Sequence, residues 1–226
     1  MISHKHKIIF IHVPKCAGTS IESIFNHLDG HKGRNGQDHR PFRWIEQPVM
    51  QKAAFSSREN LREVWRRFRY TFKKHANPKN RFTVSHKQFT NYYKFTIVRN
   101  PWARAYSWYR NVLIDPVHSK NFLIKEDESF HSFLKRHAGK GYLSPQLYWL
   151  KNFNGELDFD YIARFENLHH DFINICNELH TSELELPHKL KSNLSDYRDF
   201  YSDELIDLVS DIYAEEIDLF EYTFNR

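Results

Sequence analysis

The chain has 226 residues, a length that suits one large domain or one domain with an insertion. Hydrophobic residues make up 40% and aromatic residues 16%, which allows a sizeable core and argues against a disordered chain. Two cysteines, Cys16 and Cys176, exclude a disulfide framework and fit a reducing compartment. The apolar run 8–13 is too short for a signal-peptide core or a membrane span, so we expect a soluble, cytoplasmic protein.

The charge is unevenly distributed along the chain. The net charge is +5, but residues 31–81 hold 14 Lys and Arg against 4 Asp and Glu, a net of +10 that leaves −5 for the rest. We call residues 31–81 the basic segment. A field of this sign favours an anionic partner, and the alternative is a solvated basic face.

The predicted elements begin with a strand and a helix. Residues 8–13 (IIFIHV) precede Pro14 and read as a buried strand. Thr19 or Ser20 can cap the helix that follows. Its apolar residues recur at helical spacing and are Ile21, Ile24, Phe25 and Leu28. Residues 29–57 show no clear period and predict a loop.

A second helix is predicted over residues 58–75, because five apolar residues share one face and basic residues lie on the other. These apolar residues are Leu61, Val64, Trp65, Phe68 and Phe72. Asn77 and Pro78 end the helix. Residues 82–85 then predict a short strand, directly followed by His86.

The strongest strand is Tyr93–Val98 (YKFTIV), and it runs into a helix with Asn100 as N-cap and Pro101 at the first helical position. Most of the remaining chain is predicted to be helical. Helices are expected over 129–137, 145–150, 166–179 and 202–219, with a weak strand over 159–163. Strands alternating with helices predict an α/β fold of the P-loop type, with a small parallel sheet flanked by helices and a mostly helical C-terminal half.

Residues 12–20 (HVPKCAGTS) link the first strand to the first helix. Sheets of this class bind ligands at the carboxyl ends of their strands, where a helix N-terminus offers free N–H groups. Gly18 lets the backbone approach a phosphate, Thr19 and Ser20 add hydroxyl donors, and Lys15 adds a positive charge. This combination predicts a phosphate or sulfate site, and the alternative is a capped helix with a solvated lysine.

The loop does not have the Walker pattern, which needs a lysine directly after its last glycine. Lys15 instead precedes Gly18, and no predicted strand ends in an aspartate that would hold magnesium. A phosphoryl-transfer enzyme needs that metal to neutralise its phosphates. A sulfuryl group carries less charge, so one lysine and backbone donors suffice to stabilise it, and we expect no metal.

The segment 93–110 (YKFTIVRNPWARAYSWYR) is a second strand–turn–helix unit. Arg99 follows the strand, and Ser107 lies about two helical turns further on. The pair predicts a second phosphate site held by charge-assisted hydrogen bonds. The alternative is an internal salt bridge of Arg99 and a solvent-facing Ser107. Two anion sites at neighbouring strand ends suit a nucleotide phosphorylated at both the 3′ and 5′ positions.

The two motifs together resemble those of sulfotransferases that use 3′-phosphoadenosine 5′-phosphosulfate (PAPS). HVPKCAGTS resembles their 5′-phosphosulfate loop, and FTIVRNPWARAYSWYR resembles their 3′-phosphate strand and helix. QLYWL, DYIARFENL and YRDFYSDELIDLVSDIYAEEIDLFEY resemble the carbohydrate (Golgi-type) branch, and the lack of an anchor resembles soluble bacterial members. The similarity touches residues 8–28, 82–113 and 145–222 of a single predicted domain, 1–226, and leaves the basic segment uncovered as an insertion.

The resemblance implies a role for each matching residue. Lys15 contacts the transferring sulfuryl group and its bridging oxygen, while Arg99 and Ser107 hold the 3′-phosphate. The residues implied to bind the donor are Lys15, Cys16, Ala17, Gly18, Thr19, Ser20, Arg99 and Ser107. Cys16 stands where this branch commonly has threonine, and we assign no chemistry to it.

Sulfuryl transfer to an alcohol requires a base that removes the hydroxyl proton, and histidine is suited to this near neutral pH. His86 is the candidate, because it follows the predicted strand 82–85 and because some members of the carbohydrate branch carry a histidine base just before the 3′-phosphate strand. His12 reads as a packed or hydrogen-bonded structural residue. Glutamate serves as the base in other sulfotransferases, while Glu166 reads as an anchor for a loop or for Arg164.

The sequence therefore predicts an enzyme that moves a sulfuryl group from PAPS to a hydroxyl of a carbohydrate, in which Lys15 and His86 are catalytic. The basic segment suggests an anionic or extended saccharide acceptor, and no nucleic-acid partner is expected. One alternative is a nucleotide phosphotransferase of related fold. Another is a non-catalytic binder of anionic polymer that acts through residues 58–74. The sequence does not indicate the oligomeric state.

Overall fold

The computed structural model of the chain describes residues 1–31, 33–49, 51–125, 127–181, 184–186 and 196–224. They form two compact units. The first unit contains Met1–Val13, Ala17–Val98 and the described residues from 147 to 186. The second contains Pro14–Cys16, Arg99–Gln146 and the described residues from 196 onward.

The first unit holds a four-stranded sheet. In sheet order its strands are β1 (Ile2–Ser3), β2 (Ile8–Ile11), β3 (Tyr93–Val98) and β4 (Tyr161–Arg164). β2, β3 and β4 are parallel, as predicted, but β1 pairs antiparallel to β2, so the sheet is mixed. A pairing of two residues is too short to leave a periodic pattern in the sequence.

The core of the first unit lies against β2 and β3. Every residue of β2 is buried, as expected for a strand whose faces are both covered. Phe10 on β2 and Phe95 on β3 are in register, with ring centroids 5.0 Å apart. Phe25 lies 6.1 Å from Phe95 and 6.4 Å from Phe172. Each such side chain stabilises the fold by roughly 1.5–3 kcal/mol through its burial.

The helices of the first unit cover the sheet and extend from it. They are α1 (Gly18–Ile24), α2 (Phe42–Ile45), α3 (Arg58–Phe72), α4 (His86–Asn91) and α9 (Leu168–Glu178), together with most of α8 (Gln146–Leu150). The periodicity correctly predicted α3, but its most apolar face does not enter the core. The residues that α3 buries are Asn60 and Glu63.

The predicted strand at 82–85 is wrong. Residues Pro78–Arg81 form a 3₁₀ turn, which Asn77 caps by accepting a hydrogen bond from the Lys79 amide at 3.0 Å. Ser85 then caps α4 in a reciprocal capping box with Gln88. His86 is therefore the first residue of a helix and does not lie at the end of a strand.

The second unit is helical. Its helices are α5 (Pro101–Ile114), α6 (Pro116–Asn121), α7 (Phe130–His137), α10 (Asp203–Ile212) and α11 (Ala214–Leu219). The predicted cap of α5 is confirmed, since Asn100 accepts hydrogen bonds from the amides of Trp102 and Ala103 at 3.1 and 3.3 Å. The single helix expected over 202–219 is two helices that break at Tyr213, whose hydroxyl donates to the Leu143 carbonyl at 2.6 Å.

Among the residues described, no helix combines the length and the apolar character needed to cross a bilayer.

Candidate anion-binding site

The loop after β2 contains two residues in the left-handed backbone region. Lys15 has a φ of 69° and Ala17 has a φ of 61°. Such conformations are uncommon for residues other than glycine, and they cluster at functional sites. Helix α1 begins at Gly18 with Ala17 as its N-cap, and no side chain caps it. The predicted caps, Thr19 and Ser20, are wrong, and these residues instead lie in the first turn of α1.

His12 packs directly against Gly18 in the first unit. A Cβ atom on Gly18 would lie 2.0 Å from His12 Cδ2 and 2.3 Å from His12 Nε2. The histidine is 3% exposed, and its Nδ1 lies 3.0 Å from Glu22 Oε1. The structural role expected for His12 is therefore confirmed. Glycine is required at position 18 by the imidazole ring, a reason that the sequence did not reveal.

A buried polar cluster continues from this histidine. Glu22 Oε1 also accepts from the Asp38 amide at 2.9 Å, and burial raises the pKa of Glu22. The ring of His39 lies 4.1 Å from that of His12, and burial, followed by repulsion from His12, lowers the pKa of His39 to about 3. These contacts tie α1 to residues from the predicted loop 29–57. The buried acidic residues and the histidine of this loop follow no helical or strand period, so the sequence did not indicate that they are buried.

Lys15 belongs to the second unit, where its surroundings disfavour the charged form of its side chain. Its Nζ donates to Asn111 Oδ1 at 2.7 Å and lies 6.0 Å from the ring centroid of Trp108. Burial, followed by repulsion from Arg99, lowers the pKa of Lys15 to about 8. Within the described ranges, no carboxylate forms an ion pair with this ammonium group. The lysine is thus a cation whose counter-charge is not supplied by the described residues.

The structure brings Arg99 next to Lys15. Arg99 Nη1 donates to the main-chain carbonyl of Lys15 at 3.1 Å. Arg99 itself is held by Gln146, which is fully buried. The Gln146 Oε1 atom accepts from the Arg99 amide at 2.8 Å, and its Nε2 donates to the Arg99 carbonyl at 2.8 Å. Glu216 orients this amide group by accepting from the same Nε2 atom at 3.0 Å.

Two further side chains fix the residues that flank Lys15. Arg104 is 1% exposed, and its Nε donates to the Pro14 carbonyl at 3.1 Å. Its Nη2 donates to the carbonyls of Tyr142 and Ser144 at 2.7 and 3.0 Å. Cys16 is 1% exposed, and its thiol lies 3.5 Å from Gln146 Oε1. Cysteines buried in this way are typically unreactive in the folded state.

Ser107 lies on α5, four residues before Asn111, so the two side chains share a helix face. Because Asn111 accepts from the Lys15 ammonium, this face of α5 is the one turned towards Lys15. Ser107 is half-buried. The second unit therefore gathers Lys15, Arg99 and the face that carries Ser107, while Gly18, Thr19 and Ser20 belong to the first unit.

His86 belongs to the first unit and is exposed at the start of α4. Its side chain makes no contact that would fix its orientation within the described residues. The argument that placed it at a strand end is wrong, and its catalytic role stays a prediction from the resemblance alone.

Sequence reasoning missed the residues that position the site, namely Arg104, Asn111, Gln146 and Glu216. All four lie in or beside quoted motifs, since Arg104 and Asn111 accompany the second motif, Gln146 begins QLYWL, and Glu216 lies in YRDFYSDELIDLVSDIYAEEIDLFEY. Their contacts include pairs of residues 38 and 96 positions apart, namely Arg104–Tyr142 and Lys15–Asn111. A helical or strand period gives no information about contacts at such separations.

One comparison with known proteins identifies the family of the chain. No curated protein and no solved structure matches the chain significantly. The family model described as "Sulfotransferase family" matches residues 1–223, nearly the whole chain and including the basic segment. The predicted resemblance to sulfotransferases is confirmed at this level, and the chain belongs to the sulfotransferase family.

Proposed function

We propose that the protein transfers a sulfuryl group from PAPS to a hydroxyl of a carbohydrate. The observation that carries the proposal is the placement of Lys15 beside Arg99. Two cations held this close repel one another, and burial adds to the cost by lowering the pKa of Lys15 to about 8. A bound anion removes both penalties, because it supplies a counter-charge and charge-assisted hydrogen bonds.

The proposed donor site follows the sequence motifs. Lys15 contacts the transferring sulfuryl group, and Arg99 and Ser107 bind the 3′-phosphate. The residues proposed to surround the 5′-phosphosulfate are Cys16, Ala17, Gly18, Thr19 and Ser20. Since no side chain caps α1, the hydroxyl groups of Thr19 and Ser20 are not used as N-caps.

The proposed reaction is an in-line displacement at sulfur. The acceptor oxygen forms a bond to sulfur while the bond from sulfur to the phosphate oxygen breaks, which releases 3′-phosphoadenosine 5′-phosphate. The Lys15 ammonium stabilises the negative charge that develops on the bridging oxygen. His86 takes the proton of the acceptor hydroxyl, as its exposed position on α4 permits.

Donor binding is tested by thermal denaturation without magnesium. We expect 3′-phosphoadenosine 5′-phosphate to raise the melting temperature more than AMP does, because AMP lacks the 3′-phosphate. A ligand present at about 100 times its Kd adds about 2.7 kcal/mol to the free energy of unfolding. Equal shifts with AMP, or a strict need for magnesium, would contradict the donor assignment.

Transfer is tested with labelled PAPS and a panel of neutral and anionic glycans. The resemblance to the carbohydrate branch and the basic segment support an anionic acceptor. We expect His86→Ala to lower turnover by roughly 10²–10⁴ with unchanged donor affinity. A folded His86→Ala protein with near-normal turnover would show that another group is the base. The family assignment favours sulfuryl over phosphoryl transfer, and ATP and heparin in the same panel test the two alternatives.

A further inference from the structure

Helix α3 presents a continuous apolar stripe to solvent. Leu61, Trp65, Phe68 and Phe72 are 47%, 58%, 54% and 75% exposed, respectively. Their spacing of four, three and four residues puts them in one row about 16 Å long on the helix surface. The rings touch one another, since the centroids of Trp65 and Phe68 are 5.8 Å apart and those of Phe68 and Phe72 are 4.8 Å apart. We call this row the α3 stripe.

The α3 stripe is not needed to attach the helix to the first unit. The helix is held by its polar face, where Asn60 Nδ2 donates to the carbonyls of Ala53 and Phe153 at 2.8 Å each. On the same face, Glu63 Oε2 accepts from Trp44 Nε1 at 2.9 Å. This reverses the usual orientation of an amphipathic helix, whose apolar face meets the core. A row of exposed aromatic side chains is typical of an interaction surface.

A ladder of basic side chains borders the α3 stripe. The exposed basic residues of the helix and its C-terminal end are Arg58, Arg62, Arg66, Arg69, Lys73 and Lys74. Arg58, Arg62 and Arg69 each lie three or four residues from a member of the stripe and are therefore its neighbours on the helix surface.

Among the residues that the structure describes, one member of this ladder, Arg66, forms an ion pair with an acidic side chain. The two carboxylates of α3, Glu59 and Glu63, already pair at 2.8 Å with Arg43 and Arg66. The other members of the ladder have no acidic partner within the described part of the chain. The surface thus combines exposed aromatic side chains with a local excess of positive charge. A partner that matches it offers both apolar surface and negative charge.

We infer that α3 lies on an anionic membrane surface, with the α3 stripe inserted between the lipid headgroups and the arginines bound to lipid phosphates and carboxylates. Helices that bind bilayer interfaces have Trp, Phe and Leu on one face and Lys and Arg on the other, with low overall hydrophobicity. The α3 sequence RENLREVWRRFRYTF has this composition. Arginine side chains reach the headgroups while their methylene stems cover apolar surface. Each basic residue near an anionic leaflet strengthens the attraction.

A second copy of the chain fits this surface less well. The spacing of the α3 stripe is also that of a coiled-coil seam, but two α3 helices packed along it would bring their arginine ladders together. Like charges in such flanking positions repel one another, and the exposed acidic group Glu59 is already paired with Arg43.

A soluble anionic saccharide also accounts for less of the surface. A groove of about 770 Å³ runs beside the C-terminal half of α3. It is lined by aromatic and basic side chains, namely Trp44, Arg66, Phe68, Arg69, Tyr70, Phe72, Lys73 and Tyr148. Leu61 and Trp65 are not among the residues that line it. A saccharide in this groove would leave the N-terminal half of the α3 stripe uncovered.

The test is co-sedimentation of the full chain with phosphatidylcholine vesicles that contain about 30% phosphatidylserine. We expect binding to these vesicles, and little binding to pure phosphatidylcholine. Trp65→Ser/Phe72→Ser should weaken binding by tenfold or more, and Arg62→Gln/Arg69→Gln by roughly 30-fold at low salt. The control is Leu123→Ser in the second unit, where leucine is 78% exposed, and it should leave binding unchanged.

Tryptophan fluorescence gives an independent readout. Trp65 is 58% exposed, whereas Trp102, Trp108 and Trp149 are 3%, 3% and 8% exposed. Trp44 is half-buried and lines the groove beside Phe68, so the measurement is made in a Trp44→Phe background. Lipids brominated on their acyl chains should therefore quench Trp65 when the vesicles bind. Trp65→Phe keeps the stripe apolar, so it should retain binding and lose most of the quenching.

Three results would overturn the inference. The first is no binding to anionic vesicles by a protein whose circular dichroism and melting curve show it to be folded. The second is equal binding by wild type and Trp65→Ser/Phe72→Ser, as expected of a polyanion site, which heparin competition would then reveal. The third is a concentration-dependent dimer that the same double substitution dissociates, because the stripe would then be covered by a second copy.

Discussion

Helices α3 and α5 have similar lengths but opposite surroundings. Each contains four aromatic residues, while α3 has five arginines and α5 has two. α5 buries its aromatic side chains, which are Trp102, Tyr106, Trp108 and Tyr109, whereas α3 exposes Trp65, Phe68 and Phe72. Arg104 of α5 is 1% exposed and binds three carbonyl groups, whereas Arg62 and Arg69 of α3 face solvent.

The difference lies in what packs on each helix. α5 is covered by α6, α7, α10 and the 3₁₀ turns Gly141–Leu143 and Tyr197–Phe200. Its aromatic rings therefore form a core with those of the neighbouring elements. α3 is contacted by α2 and the 3₁₀ turn Lys52–Phe55, on its polar face. Helical periodicity tells which side chains share a face, but only tertiary contacts decide whether that face is covered. The two helices therefore differ in position: α5 packs in the core of the second unit beside the candidate anion-binding site, whereas α3 exposes its aromatic face to solvent.

The largest effect is expected for an α5 core ring. Tyr106 is 1% exposed and stacks on Phe200 at 4.5 Å. Tyr106→Ala should lower the free energy of unfolding by about 3–5 kcal/mol, because it removes buried contacts and leaves a cavity. Urea denaturation followed by circular dichroism measures this loss. A change below about 1 kcal/mol would mean that the second unit lacks the packed core described here.

The next largest effect is expected at Lys15, which α5 holds through Asn111. In the proposed mechanism the ammonium acts on charge that develops in the transition state, so Lys15→Ala should lower turnover by about 10²–10³. Arg99→Ala should mainly weaken donor binding, because the 3′-phosphate does not react. Steady-state kinetics with varied PAPS separates the two. The reverse pattern would show that the two roles are exchanged.

A smaller effect on stability is expected at Gly18, in the same unit as α3. Gly18→Ala places a methyl group about 2 Å from the His12 ring and should cost roughly 1–3 kcal/mol of unfolding free energy. The double substitution Gly18→Ala/His12→Ala should recover part of this loss, because it removes the clash. Gly18→Ala could instead abolish donor binding without any change in melting temperature. Glycine would then be required because a bound phosphate approaches the backbone closely, and not because the His12 ring packs against it.

The pH dependence of the reaction should report the Lys15 charge. Its pKa in the folded protein is lowered to about 8, so kcat/KM should fall about tenfold per pH unit above that value. The unfolded chain keeps this proton up to its ordinary pKa of 10.5, so this group makes the folded state more stable as pH rises between the two values. Lys15→Arg keeps the charge and should remove this alkaline limb. An unchanged limb in that variant would assign it to another group.

The smallest effect is expected on the exposed helix. Phe72 is 75% exposed, so Phe72→Ser should change the free energy of unfolding by no more than about 0.5 kcal/mol. The contrast with Tyr106→Ala, measured in the same urea titration, tests whether the two helices differ as described. A loss of several kcal/mol for Phe72→Ser would show that the α3 stripe is covered in solution.

The sequence predicted the local parts of the fold well. β3 occupies Tyr93–Val98 as predicted, and Asn100 and Pro101 begin α5 in their expected roles. These features depend on neighbouring residues alone. The strand predicted at 82–85 failed because the capping pattern of Ser85 and Gln88 was not recognised, although the spacing was present in the sequence.

The sequence predicted less of the site. The motifs identified Lys15 and Arg99, which the structure places together. Their positions depend on Gln146, whose amide satisfies both backbone groups of Arg99 from 47 residues away. Whether an amphipathic face is covered depends on equally distant residues, which is why the exposure of α3 was not predicted.

Because Cys16 is buried, the rate at which its thiol is alkylated reports how often the surrounding loop opens. At 1% exposure, with its thiol beside Gln146, Cys16 cannot react with an alkylating reagent until the residues around Lys15 move apart. The rate of alkylation therefore measures how often this loop opens. Cys176, which is 3% exposed in the first unit, serves as an internal reference for the opening of the other unit. A nucleotide that bridges Lys15 and Arg99 would slow the modification of Cys16 and leave that of Cys176 unaltered, so mass spectrometry of the two peptides would read occupancy without any acceptor being known.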